Sequence, residues 1–398
     1  MGEVIVRLRA VFAGLALVCV GGVFAGLPFG ATAQAAAGVD PELRNIYRQI
    51  LRNPTDTALN LKYAALAERK GLLRKALAAY QRVLMNDPRN AEARAGLTRV
   101  ATMLEPDFSA VYLHLGARYA TNIRQRPSGD PTDDDDFIGD ARLVVRDERR
   151  LGGMRWRTLG QLYADLHAQS RNLDFGHVGA STGPLVGLSG DWRLRPAVGA
   201  AFAWLDRKVF FTELSGQLGF EALGAGLLRR VDIRFGYQFI GSDYAPGRDG
   251  LVLDIAPTFA VPNVAKDGDR ITVRPRYRWN NATGRNADPA LVQGDIFPER
   301  YHEIGGRASY LAPFLDGQIY LGPTLEGNVR YYQSDVTGGS TRRRDVYLRP
   351  GVQLIVPNAF VKGHTLSLQY QHERNLSNVA SKRFRNHVVG IRSIWRLY

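Results

Sequence analysis

A short helical module followed by an antiparallel transmembrane β-barrel of about fourteen strands is the α plus transmembrane-β fold that the sequence predicts. Three observations predict it. Apolar and polar residues alternate strictly through most of the chain after Asp107, in runs of ten or more residues. That is the length of a tilted strand crossing a bilayer, about 9–11 residues. Ahead of these runs lies a stretch of helical period, and ahead of that an apolar leader.

The leader comes first. Arg7 and Arg9 precede a span from Ala10 to Val39 without a charged residue, and Ala33-Gln34-Ala35 reads as a small-residue cleavage site. Residues 1–35 are therefore expected to be a secretory signal peptide. Cys19, the sole cysteine of the 398 residues, lies inside it behind Leu17-Val18, which is no acylation context, so a mature chain starting after Ala35 has no thiol. A disulfide framework and a Cys-ligated metal site are excluded. After the leader no stretch of 18 apolar residues occurs, so helices are not expected to cross the membrane.

Residues 36–105 are rich in Ala, Leu and Arg and poor in Gly. Leu59, Tyr63, Leu66 and Ala67 form one helical stripe, and Ala76, Leu77, Tyr80, Val83 and Leu84 a second, with Gly71 between them and Asp87-Pro88 as a stop. Thr57–Arg89 resembles a tetratricopeptide repeat. Ala64, Gly71, Ala76, Tyr80 and Pro88 stand at that family's small, turn, small, aromatic and terminal positions, and Pro54 precedes Pro88 by one repeat length. Ala91–Leu104 is expected as a capping helix. The module reads as a docking face for a client, with Tyr63, Tyr80 and Leu84 as the candidate groove residues.

Residues 106–398 carry the alternation. In 318–332, Ile319, Leu321, Leu325, Val329 and Tyr331 share one face, and Glu326, Asn328, Arg330 and Tyr332 the other. In 270–280, Ile271, Val273, Tyr277 and Trp279 oppose Arg270, Arg274, Arg276 and Arg278. Val231, Ile233, Phe235, Tyr237 and Phe239 make another apolar face. Strands are expected near 109–123, 136–148, 154–168, 173–187, 192–205, 209–225, 229–241, 249–261, 270–280, 300–313, 317–333, 344–356, 363–374 and 385–398. Odd-numbered connections are mostly the longer ones, which places them outside the cell.

With apolar faces toward lipid, the polar faces line a lumen in which arginine outnumbers acid. The formal net charge of the chain is +14. Arg274, Arg276, Arg278, Arg307 and Arg330 are the candidate lumen cations, either bracing the wall in ion pairs or forming a surface for an acidic polymer or polypeptide. The acidic run Asp133–Asp136 and the basic run Arg342–Arg344 are expected in solvated outer loops. Basic residues alternating along strands of an exported chain do not suit nucleic acid. The seven histidines show no metal spacing, and no nucleophile elbow, P-loop or dinucleotide fingerprint occurs. Neither a cofactor nor a catalytic residue is expected.

Leader, short repeat module and barrel, in that order, resemble the surface lipoprotein assembly modifier family. Leu115-Gly116-Ala117-Arg118-Tyr119-Ala120-Thr121-Asn122-Ile123 looks like that family's G-x-x-Y-x-x-N-[IV] opening strand. The resemblance implies an outer-membrane protein with periplasmic repeats that moves a lipoprotein or soluble client to the surface. It also implies insertion by the barrel-assembly machinery among outer-membrane lipids. The same two modules also occur in exopolysaccharide export, with the repeats gathering synthesis proteins, and a passive porin is a third class. A seam between residues 112–123 and 386–398 is an alternative path to the lumen.

Overall fold

The computed structural model describes residues 40–104, 107–127, 134–151, 153–188, 191–224, 226–241, 249–281, 300–335 and 342–397. Residues 1–35, expected from the sequence to be a signal peptide, Asp133, most of the 281–299 connection and the terminal Tyr398 lie outside the described residues. The chain divides into two compact units, at Leu104/Glu105.

Among the described residues the first unit has four helices: α1 Pro41–Arg52, α2 Thr57–Arg69, α3 Leu73–Asn86 and α4 Ala91–Leu104. Short polar side chains start three of them by capping free N–H groups. Asp40 accepts from Glu42 and Leu43, Asp56 from Leu59, and Asn90 from Ala93. Gly71, at φ 72°, turns the chain between α2 and α3, a conformation that glycine adopts without a Cβ clash. Leu43, Ile46, Ala64, Leu66, Ala76, Tyr80 and Val83 form the core with both expected stripes. None of the described helices is long and apolar enough to cross a membrane.

The second unit is a closed barrel of fourteen antiparallel strands in sequence order, β14 pairing with β1. They are β1 Phe108–Ala120, β2 Asp136–Leu151, β3 Met154–His167, β4 Phe175–Gly187, β5 Trp192–Leu205, β6 Lys208–Ala222 and β7 Leu228–Ile240. The rest are β8 Gly250–Pro262, β9 Arg270–Asn280, β10 Tyr301–Phe314, β11 Ile319–Asp335, β12 Arg342–Pro357, β13 His364–Ser377 and β14 Phe384–Arg396. Closure removes every unpaired sheet edge, the condition for strands in hydrocarbon. The β5–β6 hairpin turns through Asp206 and Arg207, both at positive φ, as a tight two-residue turn requires.

Orientation follows from the two faces of each strand. On β10, Ile304 is 59% exposed and Glu303 5%; on β11, Leu325 is 51% exposed and Arg330 7%. Apolar side chains face out and charged ones face in. That is the arrangement of a transmembrane barrel, not of a soluble one.

Two expected loops are corrected. Asp136 is the first residue of β2 and wholly buried, where it accepts the N–H groups of Gln169 and Ser170 at 3.0 and 2.9 Å. Asp134 is also buried, against Arg124 and Arg126, and Asp135 accepts the Tyr119 hydroxyl at 2.8 Å. These acids fasten the β1–β2 connection instead of facing solvent. Arg342–Arg344 open β12, with Arg343 turned inward onto Asp345 and Arg344 outward over the Tyr331 ring.

Candidate functional site: the charged lumen

Alternation along each strand sets every second side chain into the lumen, and the in-register pairing of neighbours brings charges together there. Four groups of ion pairs follow the wall. Across β2, β1 and β14, Asp140 lies 3.5 Å from both Arg118 and Arg392, and Arg118 also reaches Asp165 on β3 at 3.0 Å. Glu148 on β2 holds Arg155 at 3.3 Å and Arg157 at 2.6 Å, and Arg157 continues to Glu221 on β6.

The third group includes the arginine strand singled out from the sequence. Arg278 meets Asp254 on β8 at 3.1 Å, Arg276 binds the same carboxylate, and Arg274 lies 3.6 Å from Asp232. Arg234 joins Glu213 to the Asp254 side of this group. The fourth is centred on Arg330, which donates to Glu303 at 2.6 Å with the Tyr301 ring 4.6 Å beneath its guanidinium. Beside it, Arg349 links Glu326 and Glu373.

The five candidate lumen cations therefore all lie on the inner wall but differ in state. Arg274, Arg276, Arg278 and Arg330 have carboxylate partners. Arg307 has none within ion-pair distance among the described residues, and it stands opposite Arg274 in register. Two more arginines share that condition. Arg142 has only the Gln161 carbonyl, at 2.9 Å. Arg195, 3% exposed, donates to Gln217 and Ser181 at 3.0 and 3.3 Å, and its Nη1 is buried without a partner. Arg195 was missed by sequence reading; the signal available was Arg193 and Arg195 alternating with apolar residues at the start of β5.

Arg142, Arg195 and Arg307 line one cavity of about 640 Å³, with Arg230, Arg234, Arg274, Arg276 and four acids, Asp232, Asp254, Glu303 and Glu326. Seven arginines against four carboxylates leave this chamber with a formal excess of three positive charges. A neighbouring chamber of about 950 Å³ includes Arg118, Arg278, Arg349, Glu213 and Glu373. Paired cations stiffen the wall; unneutralised ones in a low-dielectric surround create a potential that draws in anions. No three His, Cys, Asp or Glu side chains converge into a metal-sized group among the described residues.

In the helical module the candidate groove residues belong to the core. Tyr63 and Tyr80 are 8% and 2% exposed, and Leu84 packs partly buried against the same cluster. The Tyr80 hydroxyl donates to Glu68 at 2.9 Å, and Arg99 donates to the same carboxylate at 2.8 Å. The exposed apolar residues of the module are others: Tyr47, Leu51, Leu72 and Met85.

No family model matches the chain. No curated protein matches it. Several solved outer-membrane structures do. OccAB3 of Acinetobacter baumannii aligns with TM-score 0.39 at 11% identity, over 73% of this chain and 99% of the other. OpdO of Pseudomonas aeruginosa aligns with TM-score 0.37 at 11% identity, over 73% and 98%. A bacterial polysaccharide outer membrane secretin aligns with TM-score 0.41 at 12% identity, over 72% and 98%.

Proposed function

We propose that this chain is a bacterial outer-membrane export protein whose barrel conducts an anionic cargo through its lumen. The observation that carries the reading is the chamber holding Arg142, Arg195 and Arg307 without carboxylate partners. Arg195 is buried with no carboxylate to offset its charge, a cost that a wall built only for rigidity would not carry, while Arg142 and Arg307 are exposed and so available to a passing anion. Fixed cations spaced along a passage offer a polyanion successive weak sites, the condition for entering and leaving. The acidic cargo is an anionic polysaccharide or an acidic polypeptide. The helical module then stands on the periplasmic side and receives the client or the proteins that synthesise it.

The test is the reversal potential of the refolded full chain in planar bilayers under a salt gradient. Anion preference that falls in the R142Q/R195Q/R307Q variant supports this reading. Cation preference in the parent chain overturns it.

A second reading, in the manner of the surface lipoprotein assembly modifiers, moves a lipidated client through the seam between β1 and β14. What favours it is that these strands share nine paired residues, against thirteen between β1 and β2. Because the sole cysteine lies in the leader, a disulfide between Ala117→Cys and Ile391→Cys, which are partners in register, would lock the seam cleanly. Client export abolished by the lock would support the seam path. Export undiminished would exclude it.

A further inference from the structure

The outward face of the barrel carries a cationic feature that passage through the lumen does not use. On β13 and β14, Arg374 and Arg385 are partners in register, both exposed. Neither guanidinium has an ion pair or hydrogen bond among the described residues. Like charges directly opposite each other repel and are destabilising without a counter-charge. One row deeper toward the membrane, His372 and His387 are also directly opposite, with ring centroids 4.6 Å apart. The Tyr370 hydroxyl lies 2.9 Å from His387 Nδ1 and fixes that ring. Deeper again come Leu368 and Ile391, exposed and apolar, in register with each other.

The order along this face is hydrocarbon, aromatic and imidazole, then paired guanidinium. It matches the profile of a lipid from acyl chain to headgroup. The end concerned is that of the longer connections. On the same end of β9 and β10 a second tyrosine–histidine pair occurs, Tyr277 and His302, at 2.9 Å and with the same near-parallel ring geometry.

We propose that Arg374 and Arg385 bind the phosphate group of a membrane lipid, whose acyl chains lie along Val352, Leu368 and Ile391, all exposed and all deeper than the arginine row. Two guanidiniums side by side present parallel N–H donors that suit a phosphate's tetrahedral oxygens. The bound anion removes the repulsion between them, and the apolar rows below give the lipid tail a seat that a free ion would not need.

The experiment uses the full chain in neutral maltoside micelles, with native mass spectrometry counting bound lipid. The probes are diphosphorylated lipid A, a phosphate-free galactosyl diacylglycerol and inorganic phosphate. The expected result is retention of lipid A that weakens about tenfold or more in R374Q/R385Q and persists in R374K/R385K. All variants are checked for the heat-modifiable mobility of a folded barrel. Equal retention of lipid A by R374Q/R385Q overturns the proposal, as does equal retention of the phosphate-free glycolipid by the parent. Displacement of lipid A by equimolar inorganic phosphate shows a free-anion site and overturns the lipid assignment.

Discussion

Asp140 on β2 reaches over Gly116 on β1 to lie 3.5 Å from Arg392 on β14, so one carboxylate spans the junction at which the barrel closes. A Cβ on Gly116 would sit 2.5 Å from the Asp140 carboxylate oxygen, and only glycine leaves the path open. The junction is also fastened at its long-connection end, where Asn122 and His387 donate their backbone N–H groups to Asn386 and Thr121, each at 2.9 Å.

Gly116→Ala is expected to push Asp140 off Arg392 and destabilise the barrel by about 1–3 kcal/mol, as overpacking does. The measurement is the temperature at which the compact electrophoretic form converts to the extended one. Asp140→Asn should lower it too, and Gly116→Ala in that background should add less than it does alone, because the two act on one contact.

Arg330→Gln leaves Glu303 as a buried carboxylate without its charge partner, and the Tyr301 ring without its cation. The expected cost is about 3–5 kcal/mol. The double variant Arg330→Met with Glu303→Leu should recover most of it, since no charge is then left alone. Denaturant midpoints of the refolded barrel in micelles give both numbers; a double variant no better than the single one would refute the pairing argument.

The helical module should depend on pH at both extremes. Burial raises the Glu68 carboxyl, but hydrogen bonds from Arg99 and Tyr80 and the Arg99 charge hold it below its ordinary 4.5. Burial, then the hydrogen bond to Glu68 and its charge, push the Tyr80 hydroxyl up to about 12 from 10.0. Glu68 therefore contributes fully above pH 4.5 and loses that contribution as pH falls through its lowered value. Tyr80 contributes fully below pH 10 and loses it as pH rises through about 12. Thermal loss of the 222 nm signal should be pH-independent between these limits. Tyr80→Phe should cost about 0.5–1.5 kcal/mol at neutral pH and lose the alkaline dependence between pH 10 and 12.

The β8–β9 turn depends on Asp269. Its carboxylate accepts the N–H groups of Val264, Ala265 and Lys266 at 2.6, 2.8 and 2.9 Å and the Tyr310 hydroxyl at 2.8 Å. Burial raises this group, but the bonds from Ala265, Tyr310, Val264 and Lys266 outweigh it and bring it down to about 2. The turn's contribution is present above pH 3.8 and vanishes only as pH falls through about 2. Amide exchange of residues 264–266 should stay slow at pH 3 in the parent and become fast in Asp269→Ala.

The strands were legible because a barrel writes its period residue by residue. All fourteen expected runs correspond to strands, and the Ile319–Tyr331 face and the Arg274–Arg278 face point where their chemistry requires. The helical stripes and the Ala91–Leu104 helix were legible for the same reason at period 3.6. Which arginine is neutralised was not legible. Asp254 takes both Arg276 and Arg278 because of the register between β8 and β9, which composition does not record. The burial of Asp136 depends on the β3–β4 connection, and that of Asp134 on Arg124 and Arg126 folding back within its own connection. Tyr63 and Tyr80 fit a groove and a core equally well by spacing, and packing decided for the core.

The most direct measurement is the block of single-channel current by a polyuronate of defined length, compared with a neutral dextran of equal size. The expected result is micromolar block by the polyanion, little by dextran, and weakening of the polyanion block by about tenfold or more in R142Q/R195Q/R307Q. Equal block by both polymers, or unchanged polyanion block in the variant, would contradict a lumen built to pass an anionic cargo.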